Sequence, residues 1–149
     1  MSEIVVVDTS IVIKWVLNEP DSAIALALLT NWSRNGIAIH APALLLYELT
    51  NALYQHMRKH DETLDEAKQA LVDAFLIDLE LDPSLDISLS TRAMEFAHQH
   101  KLPATYDPHY LALAERNNCE YWTADKRLWN AVKDKLSWVR WFGDYQPTM

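Results

Sequence analysis

Ile4-Val5-Val6-Val7 is an unbroken β-branched run that ends at Asp8. It does not alternate apolar with polar residues, so it suits a short strand covered on both faces, as in a parallel sheet. Parallel strands need long crossover connections, usually helical, and helix-forming segments follow. Ser10 to Leu17 and Asp21 to Asn35 read as helices, the second rich in Ala and Leu and stopped by Gly36. Ile37 to Ala41 is the next candidate strand, and Pro42 reads as the first-turn proline of a helix reaching about Lys59. A helix from about Thr63 to Asp78, a short apolar-acidic piece from Leu79 to Leu81 and a helix from Ile87 to His100 follow. Asp107-Pro108 has the form of an N-cap with proline at the first helical position, opening a helix to about Asn117. Glu120-Tyr121-Trp122 reads as a strand, Asp125 opens another helix, and Ser137 to Val139 is a last strand. The alternation predicts an α/β fold, with helices on both faces of a central, mostly parallel sheet of about five strands. Ligands of such sheets bind at the carboxyl ends of the strands.

The 149 residues, half of them apolar, fit a single domain over 1–149, and two glycines with six scattered prolines mark no linker. Gly36 and Gly143 cannot make a P-loop or a Rossmann fingerprint. The net charge of −8 repels nucleic acid. A nucleic-acid enzyme of this composition therefore needs local help, from divalent cations or from basic spots such as Arg58-Lys59 and Lys126-Arg127. The start, Met1-Ser2-Glu3, lacks the basic residues of a secretory signal, and no apolar run approaches a membrane span. Cys119 is the lone cysteine, so no internal disulfide or cysteine-based metal site is available and a reducing, cytoplasmic setting is expected.

Among 21 acids, position singles out four. Asp8 stands at the exit of the expected central strand, where it is placed either to serve a site or to cap the next helix. Glu48 interrupts the apolar run Leu44-Leu45-Leu46-Tyr47 and Leu49, where a buried charge is costly without a partner. Asn51, one turn later, would share its face if both enter a polar cleft; an exposed helical stripe is the alternative. Asp107 and Asp125 each precede a helix, and capping and function are compatible at such positions. Thr123 is placed to add a hydroxyl. If the four carboxylates meet, like charges at close range call for a cation, and hard oxygen ligands select magnesium or manganese. Such ions activate water, so no nucleophilic side chain is required. An aspartyl-nucleophile phosphatase wants a second acid where Ser10 stands, and a receiver-type phosphoacceptor wants an acidic pair that Asp8-Thr9 does not give.

Val6-Val7-Asp8-Thr9-Ser10, Tyr47-Glu48-Leu49-Thr50-Asn51-Ala52-Leu53, Tyr106-Asp107-Pro108-His109-Tyr110-Leu111-Ala112-Leu113-Ala114 and Thr123-Ala124-Asp125-Lys126-Arg127-Leu128 together resemble the PIN domain, in that family's order. The likeness is to the single-domain VapC-type toxins of prokaryotic toxin-antitoxin pairs and covers nearly the whole chain, including Lys14-Trp15. It implies a PIN-like three-layer fold, magnesium or manganese held by Asp8, Glu48, Asp107 and Asp125, and cleavage of single-stranded RNA. Ser10, Asn51 and Thr123 match supporting positions. Pro108 departs from the small residue usual after the third acid. The resemblance further implies a homodimer and a cognate antitoxin that blocks the site. Trp138, Val139, Trp141 and Phe142 are candidates for a partner surface or for burial against the sheet. The rival expectation is a catalytically silent PIN-fold protein that acts by binding a partner or RNA.

Overall fold

The computed structural model describes residues 3–83 and 85–147. Its strands are β1 (Ile4–Val7), β2 (Ala38–Pro42), β3 (Leu79–Asp82), β4 (Glu120–Thr123) and β5 (Val139–Trp141). The helices are α1 (Thr9–Val16), α2 (Ser22–Arg34), α3 (Leu44–His60), α4 (Leu64–Phe75), α5 (Ile87–Gln99), α6 (Tyr106–Arg116) and α7 (Lys126–Val132), followed by a 3-10 turn over Phe142–Asp144. The strands form one parallel sheet in the order β3-β2-β1-β4-β5. β1 is central, and Val5, Val6 and Val7 are at most 3% exposed, as a β-branched run without alternation requires. From β1 the chain winds outward to β2 and β3, then returns to the other side for β4 and β5. The strand order therefore reverses between β1 and β4, and a crevice opens there at their carboxyl ends. The helices α1 to α4 pack among themselves, while α5 packs on α6, which lies against β1, β2 and β4.

Local chemistry moves four boundaries from their expected places. Pro42 is the last residue of β2 and not a first-turn proline: it pairs in register with Asp82 of β3, beyond the last β1 pairing of Val6 with His40. No β1 partner needs its missing N–H there, so α3 starts at Leu44. α4 stops at Phe75 and not at Asp78, because Asp78 takes a left-handed φ of 69° that no helix continues. β5 lies two residues later than expected, with Val139 opposite Tyr121 and Trp141 opposite Thr123. Asp107 is not an N-cap: α6 begins at Tyr106 behind Thr105, which puts Asp107 and Pro108 inside the first turn.

Val139 and Phe142 are buried, and Trp138 and Trp141 are half-buried against the core, so most of the C-terminal aromatic patch is spent internally. Cys119 is 6% exposed, and burial pushes its thiol up to about 11. Its native thiol is expected to label with a disulfide reagent near neutral pH far more slowly than the denatured chain does. Equal rates in a kinetic labelling assay would refute that burial.

Candidate active site

Two strand exits and two helix starts converge on the crevice. Asp8 leaves β1 and caps α1, its Oδ1 accepting from the Ser10 backbone N–H at 3.1 Å and from the Ser10 hydroxyl. Its Oδ2 accepts from Tyr121 Oη at 2.5 Å and from Thr123 Oγ1 at 2.6 Å. Ser10 and Thr123 also tie the exits of β1 and β4 together. Ser10 Oγ accepts from the Ala124 N–H at 2.9 Å, and Thr123 Oγ1 accepts from the Asp125 N–H at 3.0 Å. Asp125 caps α7 by accepting from the Arg127 and Leu128 N–H groups at 3.0 and 3.2 Å. For Asp8 and Asp125 the capping and site readings thus coincide.

Asp107 differs. It caps nothing, and no hydrogen bond reaches its carboxylate among the described residues, yet it is only partly exposed. Burial first, then the negative charges of Asp8, Asp125 and Glu48, push its carboxyl up to about 7. The four acids therefore lie within electrostatic reach of one another. Glu48 reaches in from α3, its Oε1 accepting from Tyr110 Oη at 2.6 Å, and it is held above the usual carboxylate range by burial and then by Asp8. Asp8 is raised as well, mainly by burial, against the lowering effect of its hydroxyl donors.

No lysine or arginine is among the main groups that shift these acids, and Glu48 is eased chiefly by the Tyr110 hydroxyl. The buried Thr9 hydroxyl lies beside Glu48 and eases its carboxylate. Crowded carboxylates with no cationic side chain to neutralise them fit a hard cation. Among the described residues no three acid or histidine side chains already stand in metal-ligand geometry.

Asn51 stands apart: it is exposed on α3 and accepts from Gln55 Nε2 at 3.4 Å. Of the basic spots, Arg58 and Lys59 lie exposed in the last turn of α3, and the Lys126 ammonium sits over the rings of Trp129 and Trp141 at 4.9 and 4.5 Å. The sequence reading missed two buried tyrosines, Tyr110 and Tyr121, whose rings stack 5.9 Å apart behind Asp8 and Glu48. A signal was present. Tyr110 lies one turn after Asp107, and Tyr121 shares a strand face with Thr123. Tyr121→Phe removes a donor from a buried carboxylate, so a loss of about 1–2 kcal/mol in a denaturant titration is expected. The loss should be larger in mild alkali than in mild acid, because the hydroxyl stabilises the ionised form of Asp8. A loss independent of pH would show that the hydroxyl serves packing alone.

A cavity of about 430 Å³ opens in front of the acids, bounded by Glu48, Asp107 and Asp125 and by Lys101, Tyr106 and Arg127. Another of about 450 Å³, near Trp32 and Gly36, contains none of the four acids.

Comparison with curated protein sequences yields no match. Among solved structures, the fold is similar to VapC20 of Mycobacterium tuberculosis, a toxin described as cleaving the sarcin-ricin loop, with a TM-score of 0.61 and 16% identity. That match covers 80% of this chain and 87% of VapC20. PAE2754 of Pyrobaculum aerophilum is similar with a TM-score of 0.62 and 22% identity, over 96% of this chain and 93% of that one. These likenesses are of fold. The sequence itself matches the PIN domain over residues 5–135, most of its length, and the chain belongs to the PIN domain family.

Proposed function

We propose that this protein is a magnesium- or manganese-dependent endoribonuclease that cleaves single-stranded RNA, the toxin of a toxin-antitoxin pair. The carrying observation is Asp107, a carboxylate with no capping or hydrogen-bonding task, crowded by Asp8, Asp125 and Glu48 at the strand-order reversal. In this reading Asp8, Glu48, Asp107 and Asp125 hold the ion. When bound, it supplies charge neutralisation at the scissile phosphate and an acidified attacking water. Ser10, Thr123, Tyr110 and Tyr121 orient the carboxylates through their hydroxyls. PIN domains are generally nucleases, and the name of VapC20 attaches RNA cleavage to a similar fold. A cytoplasmic homodimer held in check by a cognate antitoxin completes the proposal. No helix among the described residues is long and apolar enough to cross a membrane.

The test is incubation of antitoxin-free protein with a mixed pool of structured RNAs in magnesium, in manganese and in EDTA, with Asp125→Asn alongside. Cleavage is expected in the metal lanes only and is expected to vanish in the variant. Intact RNA in every lane, with the protein folded and calorimetry showing no metal uptake, would replace the nuclease with the binding-only alternative.

A further inference from the structure

We propose that the cavity bounded by Tyr106, Lys101 and Arg127 is a subsite for one unpaired nucleotide next to the scissile phosphate, its base stacked on Tyr106 and its backbone held by the two cations. The inference rests on the nuclease reading and deepens it by specifying what the substrate must present.

Most cations near the functional elements are already committed. Lys14 pairs with Asp21 and Glu19, Arg92 with Glu115 and Glu95, Arg116 with Asp86, Arg140 with Glu120, and Lys126 lies over two tryptophan rings. Lys101 and Arg127 have no such partner among the described residues, and both border the cavity that contains three of the four acids. Cations left unpaired beside a carboxylate cluster are suited to a polyanion, and they offset locally the repulsion expected from a net charge of −8.

Tyr106 supplies the second element. It directly precedes Asp107 and is 61% exposed, with no ring or hydroxyl contact among the described residues, whereas Tyr110 and Tyr121 are fully buried. An uncommitted aromatic face in a cavity that Leu102, Pro103 and Leu128 also line fits a planar base. A volume of about 430 Å³ falls within the range of small-ligand sites, about 300–1,000 Å³. A base can stack on Tyr106 only when it is turned out of its own strand. The ligand is therefore single-stranded at this position, in a loop, bulge or end.

The experiment measures fluorescence anisotropy of a short unstructured RNA, the same sequence as single-stranded DNA, and a blunt RNA duplex, in calcium over a salt series. Wild type is compared with Tyr106→Ala, Tyr106→Phe and the double variant Lys101→Gln/Arg127→Gln, each checked for fold by near-ultraviolet circular dichroism. Tyr106→Ala is expected to weaken single-strand binding about 10-fold while Tyr106→Phe stays within about twofold of wild type. The double variant should flatten the slope of log affinity against log salt by about 1.4, that is about 0.7 per cation lost. The duplex should bind more weakly than either strand. Equal affinity for the DNA strand would support the unpaired base as the ligand without a contribution from ribose. Unchanged binding by folded Tyr106→Ala, or a duplex bound as tightly as the strand, would overturn the subsite. Cleavage of RNA in magnesium by the same samples separates the two failures. A wild type that cleaves while the variants bind and cleave unchanged loses only the subsite, and one that neither binds nor cleaves loses the nuclease reading as well.

Discussion

Asp8→Asn is expected to lower metal-dependent RNA cleavage by about 10³-fold or more, several kcal/mol of transition-state stabilisation, while the metal-free protein stays as stable as wild type or becomes more so. Asp8 is 3% exposed and receives four donors, from the Ser10 N–H and the hydroxyls of Ser10, Tyr121 and Thr123. Four donors would favour the anion, yet burial outweighs them and the carboxyl sits above its usual range. The metal-free fold therefore tolerates a neutral group there. Asparagine has the size and neutrality of the protonated carboxyl, and rotatable hydroxyls can reverse to meet its amide. It cannot, however, bring a negative oxygen to a cation. Kinetics at saturating magnesium, together with melting curves in EDTA, check both halves. Retained cleavage would remove Asp8 from the mechanism, and a clearly lower melting temperature would make it chiefly a structural cap.

The contrast between Asp8 and Asp107 shows what a sequence carries about such a site. The β-branched run before Asp8 fixes its strand, and the strand fixes the edge at which the carboxylate emerges, so both fold class and site edge follow from four residues. Glu48 was legible for a similar reason, as a charge in an apolar helix stretch, and Tyr110 proves to be its partner. Asp107 was read as a helix cap that could also serve a site, and the cap half of that reading does not hold. Asp-Pro resembles a cap, and the tertiary packing of α6 instead begins the helix two residues earlier, which frees the carboxylate. Asn51 follows the other of its two readings, the exposed helical stripe. Helical spacing placed it near Glu48, but the face of α3 that turns inward carries Leu45, Leu49 and Leu53 and leaves Asn51 in water. The tyrosines Tyr110 and Tyr121 were illegible because a buried tyrosine looks like any other core residue until the group that its hydroxyl meets is known.

The metal-free protein is expected to lose stability as pH rises from about 5 to about 8, and magnesium is expected to restore it most at the alkaline end. Asp107 carries the sign. Its folded pKa is about 7 against an ordinary value of 3.8, so the folded state holds its proton more tightly than the unfolded chain. The resulting stabilisation is complete below the unfolded value and is lost as pH climbs through about 7. Asp8 and Glu48 are raised too and act in the same direction. Discounted for the water that reaches Asp107, its share is on the order of 2 kcal/mol, or about 4–8 °C in melting temperature for a domain of this size. Two features oppose the trend at the acid end. His100 is buried with neither ring nitrogen bonded among the described residues, and its pKa is pushed down by burial and then by Lys135 and Arg92, so it stabilises only as pH rises. Glu115 and Asp86, held below their usual range by Arg92 and by Ser88 respectively, give up their contribution as pH falls through the acid range. Comparison with Asp107→Asn subtracts all three, and the variant should melt at a temperature less dependent on pH than wild type. Magnesium should raise the wild-type melting temperature more at about pH 8 than at about pH 5, where protons compete for the same oxygens. A wild-type curve no steeper than that of Asp107→Asn, or a magnesium shift that does not grow with pH, would mean that the four carboxylates do not share one field.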